Sequence, residues 1–391
     1  MSAAAVTDTP GTAAGNVSGA VEGHALTGRE EAWRFTPLAR LRGLHASVES
    51  PLAPAIDADL APEVRHEVVP TASLPAAVGP VEGPAALARA AATESVVLTL
   101  PKESVASRPS VVQVHGAGTA QASVGHLVIR AEAYAQGVVV IRYTGSATYS
   151  DNVEIELADG ASLTVVSLQE WDDDTVHLGR QHAVVGRDAR LRQFIATFGG
   201  DTVRLVPTVE YAGPGGSAEL FGIYFADAGQ HLEHRSLIDH AVPHCSSDVL
   251  FKGALKGDPE AGESGIARSV WVGDVIIRAA AVGTDTYELN RNLVLTDAAR
   301  ADSVPNLEIE TGEIVGAGHA SATGRFDDEQ LFYLQARGIP ADVATQLVVR
   351  GFFADVIARL GLPEWEQHLL ARIDSELGFV ADESDAEGDE Q

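Results

Sequence analysis

Thiols, aromatic rings and positive charge are all scarce in this chain. Of its 391 residues one is cysteine, Cys245. No disulfide can close within the chain, and the several thiolates that a zinc finger or a metal cluster takes are not there. That shortage fits a reducing, cytoplasmic setting. Aromatics make up 6% of the residues, too few to suggest an aromatic-lined sugar cleft. Lys and Arg number 27 against 55 Asp and Glu, a formal charge of −28. Nucleic acid is a poor partner for such a surface, because counterion release needs clustered cations. No stretch approaches the roughly 20 apolar residues of a membrane span, and the first residues lack the basic and apolar regions of a signal peptide. G-x-x-x-x-G-K-[ST] is missing, so no ATP site of that kind is expected, and Ser246 and Ser247 sit in no G-x-S-x-G elbow.

What is present is 45% hydrophobic residues and 38 glycines, with Val, Ala and Gly dominating the middle of the chain. Residues 1–23 read as a loose tail and 24–94 as a helical or irregular region. Thr27 and Glu30 form a capping-box pair, and Pro37 splits the segment they open into two short helical pieces. From 95 to 312 the text becomes runs such as "SVVLTL", "HLVIRAEA" and "GVVVIRYTG", cut by Gly or Asp. These predict strands of about five residues with brief turns and no intervening helices. A solenoid and a sandwich both fit. Leu163, Leu191 and Leu220 recur 28 and 29 residues apart in similar turn-then-strand contexts, a period suited to stacked coils.

From 313 to 380 a small helical domain is expected, hung on the end of the β body. Asp327 with Gln330 caps its first helix, on which Leu331 and Leu334 lie one turn apart, and Gly338 ends it. Pro340 opens a second, with Val343, Leu347, Phe352, Val356 and Leu360 as its apolar face, and Pro363 a third, carrying Leu369, Ile373 and Leu377. Residues 381–391 are an acidic, disordered tail.

Three groups carry candidate chemistry. His231, His234, His240, His244 and Cys245 are metal-ligand types, but their spacing matches no finger or zincin, and on a strand only His234 and His240 share a face. Histidines filling polar positions of a sheet are the simpler reading. Asp172, Asp173 and Asp174 include the carboxylate pair that a glycosidase needs, although adjacent acids on a loop are more commonly solvated. His319 lies in "GAGHASATG", where small neighbours would let a second surface approach. A metal ligand or an interfacial proton donor is the functional reading, an ordinary surface histidine the plain one.

The stretches "TDTYELNRNLVL", "SVPNLEIE", "GHASATGRFDDEQLFYLQARGI" and "VVRGFF" resemble the SufB/SufD family of iron–sulfur cluster assembly proteins. The likeness runs from about Gln230 to about Leu360. "EEAWRFTPL", with the length and the poverty in cysteine, is similar to the SufD branch. The resemblance implies a mainly β chain: a right-handed parallel β-helix core between N- and C-terminal helical regions. It implies a non-enzymatic scaffold in a SufBCD complex that pairs with a SufB-like chain. A SufC-like ATPase would bind the C-terminal helices, around Arg337, Gly338, Gly351 and Phe352, and a cysteine desulfurase system would supply sulfur. No cofactor would be held tightly by this chain alone; a transient iron–sulfur cluster would form at the shared interface. His319 matches the histidine of the family's H-G-A-T-x-G element at that interface, a shared metal ligand. Ala317 stands where a cysteine is frequent, Ala320 where Gly is usual, and one extra residue precedes Ala-Thr-Gly. A stand-alone β-solenoid enzyme on carbohydrate is the alternative.

Overall fold

A computed structural model describes residues 26–76, 83–325 and 328–379. The tails expected at 1–23 and 381–391 lie outside those residues, as does the Asp327 cap.

The strands are β1 (Ala55–Asp59), β2 (Arg65–Pro70), β3 (Glu94–Leu100), β4 (Ser110–His115), β5 (Gly118–Ala131), β6 (Gln136–Gly145), β7 (Ala147–Leu157), β8 (Ser162–Trp171), β9 (Val176–Val185), β10 (Arg190–Phe198), β11 (Thr202–Tyr211), β12 (Ser217–Asp227), β13 (His231–His240), β14 (Ser246–Lys256), β15 (Ala267–Ile277), β16 (Asp285–Val294), β17 (Ala299–Ile309) and β18 (Gly316–Arg325). The helices are α1 (Gly83–Ala91), α2 (Asp328–Gln335), α3 (Ala341–Ile357) and α4 (Pro363–Glu376). From β4 the even-numbered strands stack into one sheet, with β1 added at its edge. From β3 the odd-numbered strands stack into the other, with β2 at its edge. Every pairing from β3 and β4 onward is parallel. The chain therefore winds as a parallel β-solenoid of about eight turns, with helical segments at both ends.

Most rungs run for 10 or 11 residues, not five. Each strand from β5 to β16 has a parallel neighbour on both sides, so pairing extends across positions that local propensity alone leaves open; Gly and Asp mark the corners. The leucine repeat is half literal. Leu163 and Leu191 stand directly opposite each other, but Leu220 pairs with Gln193, two residues further along the same face. The ladder also runs on to Arg325, past the expected boundary at 312, and His319 sits on a strand, not in a loop of the helical region.

Over the central rungs, β7 to β15, both sheets are buried on both faces. Inside, Leu98, Ile129, Val165, Leu205 and Trp271 belong to one continuous core. Outside the even-numbered sheet, Phe194, Phe221, Ile223 and Phe225 pack under Val349, Phe353, Val356, Ile357, Leu369 and Ile373. The C-terminal helices thus lie along the flank of the solenoid and do not hang from its end. Their docking is reinforced by the Lys252 ammonium, which donates to the Phe352 carbonyl at 2.7 Å and to Asp355 at 2.6 Å. The apolar face of α3 is the expected one in part: Val356 and Leu360 are buried, but Leu347 is 49% exposed and Val349 and Phe353 are buried in its stead.

Outside the odd-numbered sheet the N-terminal segment is the cover. Thr27 and Glu30 pair, the Thr27 N–H and hydroxyl donating to the Glu30 carboxylate at 3.0 and 2.8 Å, but the following turn is capped at Glu30, so only half of the expected capping box forms. The helical pieces are single 3-10 turns, Glu31–Trp33 and Leu38–Arg40. Trp33 is fully buried, with the Arg204 guanidinium 4.0 Å from its ring centroid. Arg204 in turn donates to Glu233 at 3.3 Å, and Thr36 donates to the same carboxylate at 2.8 Å. Burial alone would raise the Glu233 pKa, but His231 and the two arginines Arg204 and Arg235 hold it at about 2.

This packing sets two expected outcomes. Phe353→Ala should cost about 3–5 kcal/mol in urea unfolding, with Leu347→Ala within about 0.5. Glu233 stabilises the fold fully above the ordinary glutamate range, and that contribution fades as pH falls from about 4.5 through about 2. Glu233→Gln should therefore lower the melting temperature at neutral pH. Its acid denaturation profile should also be flatter than the parent's across that window.

Candidate functional site

The solenoid closes at one end and opens at the other. At the N-terminal end β1 and β2 run antiparallel to β4 and β3 and carry Asp57, Asp59, Arg65, Glu67 and Pro70. Charges and proline are what blunt a free edge. At the C-terminal end β17 and β18 each have a pairing partner on one side only. β18 reads GAGHASATGR: small residues, one histidine, and an arginine at its last position. No described segment lies across that edge.

His319 stands in this last rung, directly opposite Glu288 of β16, which is itself opposite Val249 of the inner core. Glu288 therefore points into the lumen and His319 sits over it at the mouth. The His319 side chain is 39% exposed and the Glu288 side chain 1%, with His319 Nδ1 3.6 Å from Glu288 Oε1. Neither Glu288 oxygen has a hydrogen-bond partner among the described residues. Burial, with the nearby Asp274 charge adding to it, pushes the Glu288 pKa up to about 8. Gly273, across the lumen on β15, makes room for this carboxyl: a Cβ there would lie 2.4 Å from Glu288 Oε2.

The next inward residues are satisfied. Tyr224 donates to Asn292 Oδ1 at 2.6 Å, Asn290 donates to the Tyr224 hydroxyl at 3.0 Å, and Asn292 donates to Ser303 at 3.0 Å. Glu288 is a site residue that sequence reasoning misses. The signal exists in "TYELNRNLV", where Thr286, Glu288, Asn290 and Asn292 alternate with larger residues. The polar set is the buried one, because the outward Leu289 and Leu293 pack toward the C-terminal helices.

The histidine group does not converge. His234 and His240 do share the inner face, but they stack on Tyr224 and Tyr211, at 5.1 and 4.8 Å between ring centroids. Burial drops their pKa values to about 3 and about 4. His231 is paired with Glu233, and His244 occupies a turn at φ 61°. The Cys245 thiol is buried, and burial raises its pKa, away from the thiolate a metal would need. Among the described residues no three His, Cys, Asp or Glu side chains gather as a metal site. The aspartates at 172–174 serve the turn: Asp172 accepts from Ser146, Asp173 from Gln230, and the Asp174 carbonyl from Arg42. Nothing in that arrangement favours carbohydrate chemistry. A Ser95–His126–Glu154 chain also occurs, with 2.7 and 3.1 Å links. Its serine is 1% exposed and bonded to Thr71, so it ties the 3-10 turn at Thr71–Ser73 to the sheet and offers no accessible nucleophile.

The four positions expected to bind an ATPase have different surroundings. Gly338, at φ 85°, ends α2, which only glycine does without strain. Arg337 stacks over Tyr333 at 4.4 Å. Gly351 is exposed on α3, and Phe352 is half-buried, 4.9 Å from the Lys252 ammonium. Beside them lie two rings that the sequence does not flag, Phe332 and Tyr333, which are 71% and 56% exposed.

Residues 113–352 match the family model described as "SUF system FeS cluster assembly, SufBD core domain". A SufBD family iron–sulfur cluster assembly protein of Mycobacterium bovis is 53% identical over 353 residues, 90% of this chain and 89% of that protein. One from Mycobacterium leprae is 49% identical over 362 residues, 92% of each. A second SufBD family protein of Mycobacterium leprae is 25% identical over 227 residues, 58% of this chain and 25% of that protein.

The tightness of the lumen mouth is itself testable. Gly273→Ala should cost about 1–3 kcal/mol through overpacking. Because the added methyl meets Glu288, Gly273→Ala and Glu288→Ala should couple by at least about 0.5 kcal/mol in a double-mutant cycle of urea unfolding.

Proposed function

The chain belongs to the SufBD family of iron–sulfur cluster assembly proteins, and from that we propose that it is a non-enzymatic scaffold subunit of the SufD type. In this reading it works in the cytoplasm, within a SufBCD-like complex. The open end of the solenoid pairs with a SufB-like chain, a SufC-like ATPase docks on the C-terminal helices, and a cysteine desulfurase system delivers sulfur. The nascent cluster is cargo built between the two solenoids and not a resident cofactor of this chain.

The observation that carries this reading is the unpaired, small-residue β18 edge with His319 at its mouth. Small side chains let a second backbone approach to pairing distance, and unmet N–H and C=O groups favour its arrival. His319 would then supply a ligand or hydrogen bond to a cluster whose thiolates come from the facing chain, since Ala317 and the buried Cys245 supply none. Mycobacterium leprae has two unlike SufBD family proteins, which supports pairing between different members. For the ATPase, the exposed ring pair Phe332 and Tyr333 beside Leu347 and Arg337 offers an apolar surface with a cationic rim, the usual composition of an interface core. The lack of a phosphate-binding loop in this chain agrees with nucleotide chemistry residing in another subunit.

Affinity purification from the native cell tests the assignment: SufB-like and SufC-like chains should accompany the parent. His319→Ala should keep both partners and lower cluster yield per complex at least about tenfold. Phe332→Glu should release the ATPase alone. Purification as a homodimer with neither partner would defeat the reading.

A further inference from the structure

The Glu288 carboxyl is an expensive feature to keep. Burying a carboxyl with neither oxygen hydrogen-bonded leaves its desolvation uncompensated, whereas the neighbouring Asn290 and Asn292 are satisfied. Its surroundings suggest what compensates. The 3.6 Å separation from His319 Nδ1 is too long for a hydrogen bond. It is close to the edge of a tetrahedron with metal–ligand bonds of about 2.1 Å, roughly 3.4 Å. Because Gly273 has no side chain, the carboxyl packs directly against the β15 backbone beside Trp271, with its other oxygen turned toward His319. His319 is exposed on the outer side, so further coordination positions face solvent or another molecule.

We propose that Glu288 Oε1 and His319 Nδ1 are two ligands of one first-row divalent cation of the Fe(II), Co(II) and Zn(II) class. The cation sits at the lumen mouth, its remaining positions filled by water or by a facing chain. An imidazole with a carboxylate suits these ions better than Mg(II) or Ca(II), which take oxygen donors throughout. The inference rests on the scaffold reading for its purpose, the handling of iron before or during cluster assembly. The binding itself needs no partner.

The test is an anaerobic cobalt(II) titration of the full chain at near-neutral pH and physiological salt, which screens adventitious binding to the acidic surface. The parent should take up one cobalt(II) in a saturable step with visible ligand-field bands. Glu288→Gln and His319→Gln should each weaken that step at least about tenfold, with melting curves showing that both fold. Unchanged affinity in Glu288→Gln, or no saturable step in the parent, would overturn the proposal. Either result could coexist with normal recovery of partners, so the half-site can fail while the scaffold reading stands. Conversely, cobalt binding with no recovered partner would leave the half-site in place and remove its proposed purpose.

Discussion

A strand in a parallel stack satisfies its backbone through the strands on either side, so the last rung always keeps one edge unmet. Much else in this molecule answers that constraint. At one end the chain turns back, lays β1 and β2 antiparallel across the first coils, and loads them with charge and proline. At the other it ends the even-numbered sheet in Gly, Ala, Ser and Thr, with His319 among them. The same unmet backbone groups are shielded at the first end and left available for pairing at the second. An edge so flat and so weakly charged would be a liability in a lone monomer. It is a binding surface when the complementary edge belongs to a family member.

The second constraint is that the central rungs of both sheets have no solvent face. The C-terminal helices cover one sheet and the N-terminal segment covers part of the other, so the usual rule of apolar in and polar out loses its meaning. In β16 it inverts: Glu288, Asn290 and Asn292 line the lumen while Leu289 and Leu293 meet the helices. A polar lumen is costly to dehydrate unless its groups satisfy one another, and the Tyr224–Asn292–Asn290–Ser303 set does so. Glu288 stands outside that set, and its oxygens are left without a hydrogen-bond partner among the described residues.

The same two constraints decide how much of the molecule is legible in its sequence. The near-constant step between leucines points toward stacked coils, because stacking imposes one period on the chain, but it leaves a sandwich open and only Leu163 and Leu191 prove to be in register. Rung length cannot be read, since pairing from both sides extends strands beyond their local signal. An i, i+4 count through Leu347 places Val356 and Leu360 on the buried face of the α3 region but misplaces its first half, because it ignores where the covering sheet lies; the sheet selects Val349 and Phe353 over Leu347. His319 is conspicuous because nothing bulky surrounds it. Glu288 is hidden because a charged residue in a strand ordinarily points to water, and only its register and its close approach to Gly273 show that this one does not.

The lumen mouth is then an unfinished site by construction. Two ligands fix an ion's position along the axis but leave at least two positions open, and a site left open in this way exchanges its ion readily. That is unsuitable for a structural metal and appropriate for cargo that must move on. A second chain meeting the β18 edge would bring its own side chains over His319 at the same moment that its backbone met the unpaired groups. Edge pairing and site completion would then be one event, and the small residues flanking His319 serve both by keeping the approach clear.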